Sequence, residues 1–380
     1  MKIVIAPDSY KGALSSREIA NAIEAGAKKA LSCIDIIKVP MADGGEGTVE
    51  AMVEATGGSL VYVDVTGPLG DKIHSYYGIL GDGKTAVIEM AAASGLPLVP
   101  MEKRNPLYTT TYGTGELIRH AIENECKKLI IGIGGSATND GGMGMAQALG
   151  IRFLDKYGNV LGFGGKVLEE IQEIDMSNLI PFIKNTEILV ACDVTNPLCG
   201  PRGASYVFGP QKGATPQIVE QLDKGLENFS SVIFEQLNVA IKDLPGAGAA
   251  GGLGGGLVAF LGAALESGIQ IMIRASRLEE KIKEADLVIT GEGKSDEQTL
   301  FGKVPFGVAQ IAKKYDVPVI CLSGALSDGS EKLYDHGVTA LFSVVNRDMS
   351  LAEAMNNTYE LVKSASENIL RLYVKSSNSF

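Results

Sequence analysis

The stretch "PMADGGEGT" (Pro40–Thr48) sets two carboxylates, Asp43 and Glu46, around a pair of glycines directly after an apolar run. Bare backbone could make such a bend, so the charge there asks for a use. The same grammar returns in "GGSATNDGG" (134–142) and in "GEGKSDEQT" (291–299). Two further acids close apolar runs, Asp8 in "APDSYKG" and Asp193 in "ILVACDVTNP". Acids at such places hold a divalent cation, accept a proton, or cap the start of a helix. Cations stand close by in sequence: Lys11, Lys294, Lys303, Lys212 of "FGPQKGA" and Arg202 of "CGPRGA". Lysine and arginine neutralise charge developing on a transferred phosphoryl group, or bind a substrate carboxylate.

In "KLIIGIGGSATNDGG", Gly132, Gly134 and Ala137 match G-x-G-x-x-A, and Asp155 lies where a dinucleotide fold puts its ribose-binding acid, which would make an NAD-dependent dehydrogenase. Asp140 opposes that reading, because a carboxylate at the first turn of the helix would face a bare pyrophosphate. In a phosphoryl-transfer site a magnesium ion can bridge acid and phosphate. The same Asp140 also fits a helix N-cap. "PGAGAAGGLGGG" contains no Walker A sequence; its backbone N–H groups could cradle a phosphate, or its glycines could serve a close-packed hinge. Zinc and serine-hydrolase chemistry lack their patterns: His74, His120 and His336 are scattered, and "GGSAT" is not G-x-S-x-G.

These residues need a frame. Short β-rich runs alternate with helical patterns at both ends of the chain, which predicts an α/β fold with parallel sheets. "KIVIAP" reads as a buried strand feeding "LSSREIANAIEAGAKKAL", where Ser15 and Glu18 have capping-box spacing. "DLVIT", "VPVICLS" and "ALFSVV" repeat the pattern near the other end, and a long terminal helix is expected from about Leu351. Neither end has strands enough for a sizeable sheet, so the ends are expected to pair. Residues 1–66 and 283–380 then form one discontinuous Rossmann-like domain, and 67–282 a second α/β domain inserted at "VTGPLG" (65–70). In the middle, "SYYGIL" and "TAVIEM" read as a hairpin around Gly81–Gly83, and "KLIIGIGG" and "EILVACD" as buried strands. Open α/β sheets collect ligands at the carboxyl ends of their strands, where all of the acids above fall.

Composition narrows the partners. Glycine makes up 47 of 380 residues, about 12% against a usual ~7%, and clusters in short bends. A net charge of −11, with no basic run and no tryptophan, argues against nucleic acid. The oily run "GLVAFLGAALESGIQIMI" (256–273) is broken by Glu266 and Gln270 and reads as a buried helix, not a membrane span. Only Ile3 to Pro7 is uncharged ahead of Asp8, too short for the apolar part of a signal peptide. The five cysteines form no C-x-x-C pair and read as reduced thiols of a cytoplasmic protein.

"APDSYKG", "MADGGEGT", "VTGPLG", "GGSATNDGG", "ACDVTNPL", "VFGPQKGAT", "PGAGAAGG" and "GEGKSDEQTLFGKVP" together closely resemble the bacterial type of glycerate kinase, in the same order and over essentially the whole chain. Tyr10 departs from the phenylalanine expected there. The resemblance implies two different α/β domains with a ligand cleft between them, and phosphorylation of D-glycerate by ATP with magnesium, giving 2-phosphoglycerate or alternatively 3-phosphoglycerate. On this reading Asp193, Lys11 and Asp8 are the catalytic set, Asp193 serving as base or metal holder. Arg202, Ser9 and Asn196 bind the substrate, and Asp43, Glu46 and Asp296 hold the metal, with Asp8 as a further candidate ligand. Gly134, Gly135, Ser136, Thr138, Asp140, Lys212, Gly251, Gly252 and Lys303 hold the nucleotide and its phosphates.

Overall fold

The computed structural model describes residues 1–377. They divide into two compact units: Met1–Asp43, Glu50–Gly57 and the chain from Ile269 onward, and Gly44–Val49 with Gly58–Gly268. The crossings fall elsewhere than at residues 66/67 and 282/283. Ser59–Thr66 pairs antiparallel along its whole length with Lys72–Ile79, from Ser59 opposite Ile79 to Thr66 opposite Lys72, so "VTGPLG" is the turn of a hairpin. Residues 269–282 belong to the first unit.

In the first unit five parallel strands, Lys2–Pro7, Asp35–Lys38, Leu287–Gly291, Val319–Ser323 and Ala340–Ser343, lie in the order fifth, fourth, third, first, second. Helices cover such a sheet on both faces, which is why Leu287–Gly291 is buried at every position. The order of the strands reverses between the first and the third. Loops leaving those two strands diverge and open a crevice at their carboxyl ends. Asp8 and Glu292 are the first residues of those loops.

Ile3, Ile5, Leu287 and Ile289 build the core with Ile19 and Ile23 of helix Ser16–Ala30 and with Val362 and Leu370 of the last helix. The capping box forms as its spacing predicts: the Glu18 N–H donates to Ser15 Oγ (3.3 Å) and the Ser15 N–H to Glu18 Oε2 (2.9 Å). At Gly26 a Cβ would lie 2.3 Å from the Lys363 carbonyl, so the two helices meet on bare backbone. The expected terminal helix is two, Leu351–Asn356 and Thr358–Ser377, because Asn357 leaves helical geometry (φ −107°, ψ 11°).

The second unit holds a six-stranded sheet in the order Ala264–Glu266, Glu187–Ala191, Lys128–Gly132, Thr85–Glu89, Lys72–Ile79, Ser59–Thr66. The first four run parallel and the last two turn back as the hairpin. The oily run read as one buried helix is divided into helix Leu253–Leu261, strand Ala264–Glu266 and helix Gly268–Ala275. Gly262, at φ +65°, ends the first of these. Among the described residues no helix is long and apolar enough to cross a membrane.

Candidate active site

A cavity of about 560 Å³ lies in the first unit, walled by residues that follow all five of its strands. Asp8, Asp43 and Glu292 form its acidic part, and Lys11, Lys294 and Lys303 its cations. The Asp8 carboxyl is pushed up to about 7, first by burial and then by the charge of Asp43, while the Ser9 N–H, donating at 2.6 Å, pulls the other way. Glu292 is buried; burial raises its pKa against hydrogen bonds donated by Thr299 Oγ1 (2.6 Å) and Ser295 Oγ (3.1 Å) and an ion pair with Lys303 at 3.5 Å. The Tyr10 hydroxyl, the departure from the expected phenylalanine, donates to the Leu322 carbonyl at 2.6 Å and so costs nothing in the core.

Glu292 was not among the residues singled out from the sequence, although it stands inside "GEGKSDEQT". Asp296, chosen from that bend, is absent from the cavity wall. It caps the turn Glu297–Leu300, accepting from the Gln298 N–H at 3.0 Å, and pairs with Lys294 at 3.2 Å. Glu46 is exposed and falls in the second unit, whereas Asp43 falls in the first. Among the described residues no three acidic side chains stand together as a metal cage, so Asp43, Glu46 and Asp296 do not form one by themselves. The acids that share a wall with Asp43 are Asp8 and Glu292.

In the second unit, Glu89, Gly132 and Ala191 are register partners at the carboxyl ends of neighbouring strands. The Gly44–Val49 loop lies over them. A Cβ on Gly132 would stand 2.7 Å from the Gly44 carbonyl, and buried Glu89, a further acid not singled out from the sequence, accepts from the Val49 N–H at 2.9 Å. Asp193, two residues past Ala191, is exposed and accepts from the Gly268 N–H at 3.1 Å. Asn196 donates to the Arg202 carbonyl at 2.8 Å, and the Arg202 side chain is exposed.

The expected phosphate loop divides in two. Gly134 and Gly135 are exposed; Ser136, Thr138 and Asp140 are buried. Asp140 accepts from the Thr111 N–H (2.8 Å) and hydroxyl (2.9 Å) and from the Gly142 and Gly144 N–H groups (3.1 and 3.3 Å), which makes it a buried tie between loops. Lys212 is buried as well, donating to Ser136 Oγ (2.7 Å) and the Thr138 carbonyl (2.6 Å), and burial lowers its pKa to about 7. Gly251 and Gly252 serve close packing: a Cβ on Gly251 would stand 2.0 Å from the Thr138 carbonyl, and one on Gly252 2.8 Å from the Gly141 Cα. The dinucleotide reading fails on geometry, since the next helix after strand Lys128–Gly132 begins only at Met143 and Asp155 folds back to accept from the Tyr157 and Asn159 N–H groups.

A profile of the Glycerate kinase family matches residues 3–374. The chain is 56% identical to a protein of Escherichia coli (strain K12) named glycerate 2-kinase, over 97% of each chain. It is 52% identical to a glycerate kinase of Bacillus subtilis (strain 168), again over 97% of each. A crystal structure from Salmonella typhimurium LT2, provisionally named glycerate kinase 2, superposes with a TM-score of 0.92 at 53% identity, covering 100% of both chains.

Proposed function

This chain belongs to the glycerate kinase family, and from that premise we propose that it transfers the terminal phosphoryl group of ATP to the 2-hydroxyl of D-glycerate, with magnesium as the cation. The observation that carries this reading is the meeting of Asp8, Asp43 and Glu292 with three lysines at the carboxyl ends of the first unit's strands. Carboxylates set against one another under burial, with cations beside them, suit a charged ligand that brings a counter-ion of its own. The name of the Escherichia coli relative supports the 2-position.

The donors present fit magnesium. They are all oxygens, and the charge of Asp43 that raises the Asp8 carboxyl is one that a divalent cation would relieve. Among the described residues no three acidic, histidine or cysteine side chains stand close enough to form a cage. Magnesium usually takes only one or two carboxylates and completes its shell with phosphate oxygens and water. Asp8 and Asp43 would hold it, and Glu292 would keep Lys303 in place. When bound, the ion neutralises charge on the phosphoryl oxygens. Lys11 and Lys303 supply further positive charge.

In the second unit, Asp193 takes the proton from the attacking hydroxyl. The Gly268 N–H holds its carboxylate at the edge of the sheet. Arg202, with an exposed guanidinium, binds the carboxylate of glycerate, and Ser9 and Asn196 set the backbone of the loops that carry Asp8 and Arg202.

Incubation with D-glycerate, ATP and magnesium followed by enolase, without mutase, should give phosphoenolpyruvate directly. The signal should vanish in chelator and return in large part with manganese. A signal that needs mutase would assign the 3-position. Full activity in chelator would remove the role given to the acids.

A further inference from the structure

The cavity of the first unit is too large and too oily for the acid substrate. Its volume of about 560 Å³ falls in the roughly 300–1,000 Å³ range of cavities that bury drug-sized ligands. A three-carbon acid would fill a small fraction of it. Its lining is also of two kinds, charged and apolar. Asp8, Asp43, Lys11 and Lys303 share the wall with Met349, Ala354 and Met355, which present hydrocarbon and thioether. D-Glycerate has no apolar part to place against that wall.

We infer that this cavity is the nucleotide site, with the base and sugar of a nucleoside triphosphate against Met349, Ala354 and Met355 and its phosphates at Lys11 and Lys303. The assignment rests on the kinase reading above and says where the donor binds. Methionine thioethers pack well on planar aromatic rings, and two of them share this wall. Gly12 leaves Met355 its room, since a Cβ there would lie 2.9 Å from the methionine Cε. The position is the switch point of the first unit's sheet, where doubly wound folds hold their ligands. The glycine-rich segment Gly246–Gly256, which the sequence offered as a phosphate cradle, spends Gly251 and Gly252 on contact with its own protein.

The test titrates the full chain with MgADP by calorimetry, alongside inhibition by inorganic tripolyphosphate, a ligand with no base, and the KM for D-glycerate. Ala354→Trp crowds the apolar lining and Met355→Ala hollows it. Each should weaken MgADP by about tenfold or more, while tripolyphosphate inhibition and the KM for glycerate stay at wild-type values. If Ala354→Trp does not fold, Met355→Ala decides alone, because shortening a side chain at a cavity wall leaves the strands intact. Unchanged MgADP affinity in a folded variant, or a rise in the glycerate KM instead, overturns the assignment while the kinase reading stands. A wild-type protein that binds no MgADP overturns both.

Discussion

Two aspartates at strand ends have opposite surroundings, and their amide variants should behave differently. Asp193 is exposed and accepts from the Gly268 N–H, so Asp193→Asn keeps the shape and removes the proton acceptor. A fall in kcat on the order of 10², with MgADP affinity unchanged, is expected in single-turnover and binding measurements. Near-normal kcat would end its role as base. Asp8 faces Asp43 and Glu292 under burial, so its charge costs stability when no cation is bound. Asp8→Asn should therefore melt higher than wild type in chelator and turn over far more slowly with magnesium. A variant that melts lower would show that the Asp8 charge is compensated within the protein. The strand-end rule found Asp8 and Asp193 because each closes an apolar run. Applied strictly it would also have found Glu292, the first residue after Leu287–Gly291, in place of Asp296, and Glu89, which ends Thr85–Glu89. It could not have foreseen the burial of Asp140 and Lys212, whose short glycine-rich surroundings read the same whether a ligand or the protein itself fills the space.

At the scale of elements, glycine carried two meanings that the sequence could not separate. Gly57 and Gly251 both sit at φ +70°, but a Cβ on Gly57 would meet nothing within 4 Å, and one on Gly251 would strike the Thr138 carbonyl at 2.0 Å. Alanine at Gly57 pays only for the left-handed backbone, about 1 kcal/mol. At Gly251 it adds the clash, and the total should exceed that cost by about 1–3 kcal/mol in denaturant titration. Equal losses would mean that the Thr138 loop moves aside freely. Strands were legible because short apolar runs bounded by acids and glycines have few other uses. The crossing near residue 66 was not, since Ser59–Thr66 alternates like any edge strand and only its pairing with Lys72–Ile79 reveals the hairpin. The oily run 256–273 misled for a related reason. Its period suits a helix, while Gly262 in left-handed geometry ends the first helix and lets Ala264–Glu266 join the sheet.

For the molecule as a whole, stability against pH should bear the mark of Lys212. Its pKa in the folded chain is lowered to about 7 from the ordinary 10.5, by burial, with the Asp140 charge opposing. Between those values the unfolded chain binds a proton at Lys212 that the folded chain does not. Stability must then rise with pH, by up to about 1.4 kcal/mol per unit for one such group. Below pH 7 both states are protonated and the full cost of the buried charge remains. Thiols act in the opposite sense higher up, because burial raises Cys199 and Cys321 to about 11 from 9.0, so that the folded chain keeps protons the unfolded chain has released. The clean window therefore runs from pH 7 to about 8.5, below the ordinary range in which thiols ionise. Within it, the stability difference between Lys212→Met and wild type, followed by denaturant unfolding, should be largest at pH 7 and shrink as pH rises, because methionine carries no charge to bury. A difference that stays constant across the window would mean that Lys212 remains charged in the folded state. Ser136 and Thr138 would then be held by an ammonium group.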